Sequence, residues 1–281
     1  SGDRPSLDEL AQMEGGLAYL TGLKDRPMRA GASITDIGAA AYGVIGILAA
    51  LHRRHVSGAG DHIEAGLFET IVYWISPQLA GAQITGRNPE PRGQEDSGMG
   101  RTMGWGVYQL FPTAEGRQIF IAVTGNRHWA GLCEALGFDD WKDAEAFNSN
   151  RKRTAHKPRI ALRIKEAVEK LAYDDIAARL YKGLVPYAPV NTPLDILDDS
   201  HLNQRGHYMQ VNPQGTPYKV PKPPFSMEFT ADFTVRHQPS ALGAQSDEIL
   251  AELGYTPAQI EALKTEGAVA RTDRMLNLGA E

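Results

Sequence analysis

The sequence predicts a mixed α/β chain in two parts, and three stretches predict it. An Ala- and Gly-rich helical pattern follows Asp36 and turns at Ser57-Gly58-Ala59-Gly60 into a short apolar run from Ile63 to Phe68. A glycine- and proline-rich segment, 87–106, then breaks the composition. Beyond it, two apolar runs flank Pro112-Thr113-Ala114-Glu115-Gly116, the pattern of a β-hairpin, and helical patterns come next.

In order, Ser6 to Met13 reads as a helix with Ser6 as N-cap and Glu9 at the capping-box position. Gly15 to Arg29 is an irregular connection. The next helix starts at or just after Asp36 and carries Val44, Ile45, Ile47, Leu48 and Leu51 among Ala39, Ala40, Ala41, Gly43, Gly46, Ala49 and Ala50. Small residues permit close backbone approach, so a buried, tightly packed helix is expected. His52, Arg53, Arg54 and His55 close it with cations suited to the C-terminal dipole. From the residues alone, Asp36 is the helix's capping acid. Ile63 to Phe68 reads as a strand, and a lone strand requires partners. Glu69 to Thr85 is helical with a kink or break at Pro77, and its Tyr73 and Trp74 are expected in the core.

The second part opens with the hairpin Val107–Phe111 and Arg117–Val123. Helices are predicted over Asn126–Leu136, Asp139–Phe147, Pro158–Leu171 and Asp174–Tyr181, with Val185–Val190 extended. Asp195–Leu202 leads to short strands at His207–Val211 and Tyr218–Val220, and Thr256-Pro257-Ala258-Gln259 is a capping box opening a last helix to about Lys264. The run Arg151-Lys152-Arg153 reads as a solvated face that the phosphates of a ligand could also use.

Composition narrows the function without selecting one. With 281 residues and 42% hydrophobic content the chain can bury one large core or two moderate ones. A net charge of -5 argues against a nucleic-acid footprint, and no apolar run is read as long enough to span a membrane. The lone Cys133 excludes an intramolecular disulfide and a cysteine-based zinc site, and reads as a small buried hydrophobe. His52 and His55 share a helix face but lack a third ligand, so no metal is expected. A cytoplasmic location is the resulting expectation.

The run Thr35-Asp36-Ile37-Gly38 through Leu51, followed by Ser57 to Glu69, resembles the signature segment of the class III CoA-transferases, the CaiB/BaiF family that includes formyl-CoA transferase. A second block, Leu242 to Tyr255, resembles the family's closing motif, with Ala244-Gln245 in place of its usual acidic-His pair. The resemblance implies an α/β fold: part of a nucleotide-fold-like large domain over 1–86, a linker and glycine-rich loop over 87–106, a small α+β domain over 107–230, and a tail, 231–281, returning to the large domain. It implies that a leading segment carrying most of the CoA contacts lies outside these 281 residues, and that Ile63–Phe68 pairs with its strands. It also implies an interlocked homodimer.

In that family the Asp matching Asp36 is the covalent nucleophile, a role compatible with capping. The resemblance implies transfer of CoA from an acyl-CoA donor to a carboxylate acceptor through an aspartyl anhydride and an aspartyl-CoA thioester, with coenzyme A entering as substrate. Backbone N–H groups of Ile37 and Gly38 are the expected oxyanion donors, and Gly98, Gly100 and Arg101 the expected substrate contacts on a covering loop that departs from the family's consecutive glycines. Two other readings stand beside it. One is an α-methylacyl-CoA racemase, whose His before an upstream Asp is matched here by Leu7 before Asp8. The other is a non-catalytic piece that binds a partner carrying the CoA-binding half.

Overall fold

The computed structural model describes residues 5–93, 104–212, 217–228, 232–241 and 243–269. It divides into two compact units, Ser1–Val190 and Asn191–Glu281. The division therefore falls inside the expected small domain 107–230, and the expected boundary at 231 lies within the second unit.

Residues 5–93 form helices joined by irregular connections. Helix α1 (Asp8–Glu14) packs on α2 (Leu17–Thr21), on α3 (Ile34–Ser57) and on α4 (Leu67–Trp74), which continues into α5 (Ser76–Thr85). Helix α1 begins one residue later than expected: Leu7, not Ser6, is its N-cap, and the Ser6–Glu9 capping box does not form. The break before α5 falls at Ile75, with Pro77 in the first turn of α5, where a missing N–H costs nothing. The predicted strand Ile63–Phe68 is not formed. A strand exists only by pairing, and among the described residues nothing pairs there; residues 61–66 are irregular and Leu67 already opens α4.

Helix α3 also departs from expectation. Its small residues do allow close approach, since a Cβ on Gly46 would lie 2.7 Å from Ile63. Yet within these residues only Thr35, Gly38 and Ala39 are buried, and Val44, Ile45, Ile47, Leu48 and Leu51 are exposed. Its 24 residues are long and apolar enough to cross a membrane by length and composition alone, which the sequence did not lead us to expect. Alanines and glycines extend the run between the strongly apolar residues. Gly58 ends the helix in the left-handed conformation (φ 74°), which glycine adopts without a side-chain clash.

Residues 107–190 hold the core. Strands β1 (Val107–Pro112) and β2 (Gln118–Val123) pair antiparallel from Val107↔Val123 to Pro112↔Gln118, and β3 (Tyr187–Pro189) adds to the other edge of β2. Helices α6 (Asn126–Leu136), α7 (Asp139–Lys142), α8 (Asn150–Ala155), α9 (Lys157–Val168) and α10 (Tyr173–Lys182) follow. Phe111, Ile119, Ile121, Trp129, Leu132, Ile160, Ile164, Ile176 and Leu180 are buried together. Helices α6 and α10 touch at Gly131 and Gly183, where a Cβ on either glycine would strike the other's backbone.

Arg153 corrects the reading of 151–153 as a solvated face. Its guanidinium is buried beside the Trp129 ring, donating to Phe147 C=O at 2.7 Å and Asn126 Oδ1 at 3.0 Å. Lys152 keeps to the surface near Glu145. Cys133 is buried as expected, and burial pushes its thiol up to about 12.

In the second unit, β4 (Tyr208–Val211) and β5 (Tyr218–Pro221) form an antiparallel pair. Helices α11 (Pro193–Leu197) and α14 (Pro257–Thr265) each open with a capping box, Thr192 with Asp195 and Thr256 with Gln259. Short helices α12 (Ser200–Gln204) and α13 (Ser246–Glu252) complete it.

Candidate active site

Asp36 occupies the third position of α3, whose N-cap is Ser33. A helix start leaves four N–H groups without intrahelical acceptors, and a neighbouring side chain normally takes one of them. The Ser33 side chain makes no such bond. Among the described residues Asp36 makes none either, so the capping role expected for it belongs elsewhere.

The acceptor comes from α1. The Thr35 N–H donates to Asp8 Oδ1 at 2.8 Å, and Gln12 Nε2 donates to Asp8 Oδ2 at 2.6 Å. Gln12 Oε1 in turn accepts the Ala30 N–H at 2.9 Å. Asp8 is 3% exposed, and Gln12 and Thr35 are fully buried. Burial raises the Asp8 carboxyl's pKa, but the Thr35 N–H and the Gln12 amide outweigh it and hold the group below the usual carboxylate range. The Thr35 hydroxyl and the Asp36 N–H add to that field. Ionised Asp8 thus caps α3 from 27 residues away.

The result is an exposed Asp36 carboxylate on a buried, hydrogen-bonded base. Among the described residues it has no ion-pair partner. Asp36 lies where the helix's positive end favours an anion. Next to it, the Ile37 N–H donates to Ser33 C=O at 3.1 Å and is committed to the helix. Gly38 lies one residue further in, with the Trp74 ring packed where its Cβ would be. Helical hydrogen bonding is the physical reason why Ile37 does not present the free donor that was expected. Gly98, Gly100 and Arg101 lie outside the described residues.

Beside Gly38, Trp74 Nε1 donates to the Tyr42 hydroxyl at 3.0 Å, and Tyr42 meets Tyr73 edge-on at 5.7 Å between centroids. Tyr73 and Trp74 were expected in the core but are 66% and 38% exposed. They form a half-open aromatic wall against the helix that carries Asp36.

Sequence reasoning missed Asp8 and Gln12. The signal that could have found them is their spacing of four on a short helix, which sets two polar residues beside buried Ala11.

The family model described as CoA-transferase family III matches residues 1–246. The succinyl-CoA–L-malate CoA-transferase β subunit of Chloroflexus aurantiacus is 27% identical over 95% of this chain and 66% of its own length. The succinyl-CoA:mesaconate CoA-transferase of Haloarcula marismortui is 28% identical over 75% of this chain and 51% of its own. The crystal structure of a CaiB/BaiF family protein from Brucella suis superposes with a TM-score of 0.71 at 28% identity, covering 89% of this chain and 64% of that one. The chain thus spans between half and two thirds of the length of these relatives. With the match running through the Asp36 segment and most of the chain beyond it, the chain belongs to CoA-transferase family III.

Proposed function

We propose that the protein transfers coenzyme A from an acyl-CoA to a carboxylic acid, with Asp36 as the nucleophile. The observation that carries this reading is the exposed Asp36 carboxylate in the first turn of α3, unengaged among the described residues and inside the stretch the family model matches. An Asp36 oxygen attacks the thioester carbonyl, forming a mixed anhydride and releasing CoA thiolate. The thiolate attacks the Asp36 carbonyl, giving an aspartyl-CoA thioester and freeing the donor's carboxylate. The acceptor carboxylate attacks that thioester, forming a second anhydride and thiolate again. Thiolate attack on the acceptor's acyl carbon yields the new acyl-CoA and restores Asp36. No net proton is consumed, and water must be kept from both anhydrides.

The relatives named for succinyl-CoA support a short dicarboxylic acyl group as donor. We assign the CoA-binding half to a segment outside these 281 residues, supplied by the same product or a second chain. In support, the relatives are longer, and the apolar face of α3 is uncovered among the described residues. A homodimer or a larger assembly containing that segment is part of the proposal.

The test is exchange of labelled succinate into succinyl-CoA by the protein and by Asp36→Ala. Loss of at least about 10^3-fold in exchange, with unchanged folding, is expected for removal of a covalent nucleophile. Normal exchange by Asp36→Ala would overturn the assignment.

A further inference from the structure

We propose that Asp8 and Gln12 act as a positioning pair for the nucleophile, fixing residues 30–36 so that Asp36 is presented in one orientation. The proposal rests on the reading of Asp36 as nucleophile. Two backbone N–H groups on either side of the turn into α3, Ala30 and Thr35, are both held by this pair, at 2.9 and 2.8 Å. The pair is closed by the 2.6 Å bond from Gln12 Nε2 to Asp8 Oδ2. Asp8, Gln12 and Thr35 are all buried. Neither Asp8 nor Gln12 touches substrate in this role; the pair sets the backbone one residue before the reacting carboxylate. A nucleophile displaced by an ångström loses much of the advantage of preorganisation.

The pattern of donors and acceptors gives a specific test. Asp8 accepts from two sides, one oxygen to each donor. In Asp8→Asn one oxygen becomes an NH2 group, which then faces the Gln12 NH2, two donors with no acceptor between them. Adding Gln12→Glu restores every bond. The carboxylate introduced at position 12 would accept from both the new amide at position 8 and the Ala30 N–H, while the remaining oxygen at position 8 keeps the Thr35 N–H. The buried charge is conserved but moved to the other residue.

Single-turnover acylation by succinyl-CoA and amide hydrogen exchange of residues 30–36 are measured on the wild type, on D8N and on D8N/Q12E, each with its melting temperature. D8N is expected to acylate Asp36 about 10- to 100-fold more slowly with KM within about threefold, a loss in kcat rather than in binding. Its Ala30 and Thr35 amides should exchange faster, and D8N/Q12E should recover both the rate and the protection. A folded D8N with wild-type acylation, or a D8N/Q12E that melts like wild type yet stays as slow as D8N, overturns the proposal. If D8N does not fold, the double variant decides alone. Absence of label at Asp36 in the wild type would sink the nucleophile reading instead. The exchange arm then still decides the pair: unchanged Ala30 and Thr35 protection in D8N or lost protection in D8N/Q12E relative to wild type refutes it, and lost protection in D8N that the double variant restores upholds it.

Discussion

Residues 107–190 and residues 5–93 solve the problem of holding helices in place by different means. In the later region, α6 buries Trp129, Leu132 and Cys133, and a stack of aromatic rings, Trp129, Trp141 and Phe147, fills the space between helices. Burial of apolar area is the main stabilising term there. In the earlier region, the longest helix buries three small residues and leaves Val44, Ile45, Ile47, Leu48 and Leu51 in the open. What locates its start is a buried carboxylate, a buried amide and close contacts at glycine. A polar clamp fixes position more narrowly than apolar packing, because hydrogen bonds fail over a few tenths of an ångström whereas apolar contacts slide. The buried hydrogen bonds that fix the start of α3 therefore lie one residue before Asp36.

That contrast can be broken most sharply by truncating one apolar residue in each region. Trp129→Ala should cost about 3–5 kcal/mol, and Leu48→Ala, 61% exposed, should stay within about 0.5 kcal/mol in this chain alone. Urea unfolding of both variants measures the difference. Equal losses would mean that α3 is buried in solution and that its face is covered.

Gly38→Ala tests the glycine contact. The new Cβ would occupy the place of the Trp74 ring, so the indole must move and give up its bond to Tyr42. A loss of about 1–3 kcal/mol is expected, as for overpacking generally. A melting temperature at the wild-type value would show that the contact is loose.

The smallest effect concerns pH. The folded Asp8 carboxyl titrates below its unfolded value, near 3.9, because the donors from Thr35 and Gln12 outweigh its burial. Its contribution to stability is therefore fully present above the unfolded pKa and is lost as pH falls through the lower, folded one. Asn does not titrate, so the stability gap between wild type and D8N should be widest near neutrality and shrink below about pH 4. A gap that grows on acidification would reverse the sign.

Local signals were legible in the sequence and distant ones were not. The hairpin is readable from alternation around Pro112–Gly116, helix α6 from its apolar spacing, and the Thr256–Gln259 capping box from four adjacent residues. Asp36 is placed near a helix start by its sequence context, although the helix begins two residues earlier, at Ile34; its capping role is not legible, since the true cap lies on another helix. Ser6 offers a good local cap that α1 does not use, because Asp8, the first helical residue, is turned inward to Thr35. Arg153 misleads because three successive cations look like a surface, while one of them finds two carbonyl oxygens and an indole in the interior. The apolar run at Ile63 has the composition of a strand, but nothing pairs with it among the described residues and its last two residues, Leu67 and Phe68, already belong to α4.

The most direct test of the account is to identify the carboxylate that carries the acyl chemistry. The protein is incubated with succinyl-CoA, reduced with borohydride, digested, and the two peptides that carry Asp8 and Asp36 are sequenced by mass spectrometry. Borohydride converts an aspartyl-CoA thioester to homoserine, so the account predicts homoserine at position 36 and unmodified aspartate at position 8. Homoserine elsewhere, or intact Asp36 in a protein that is turning over, would contradict it.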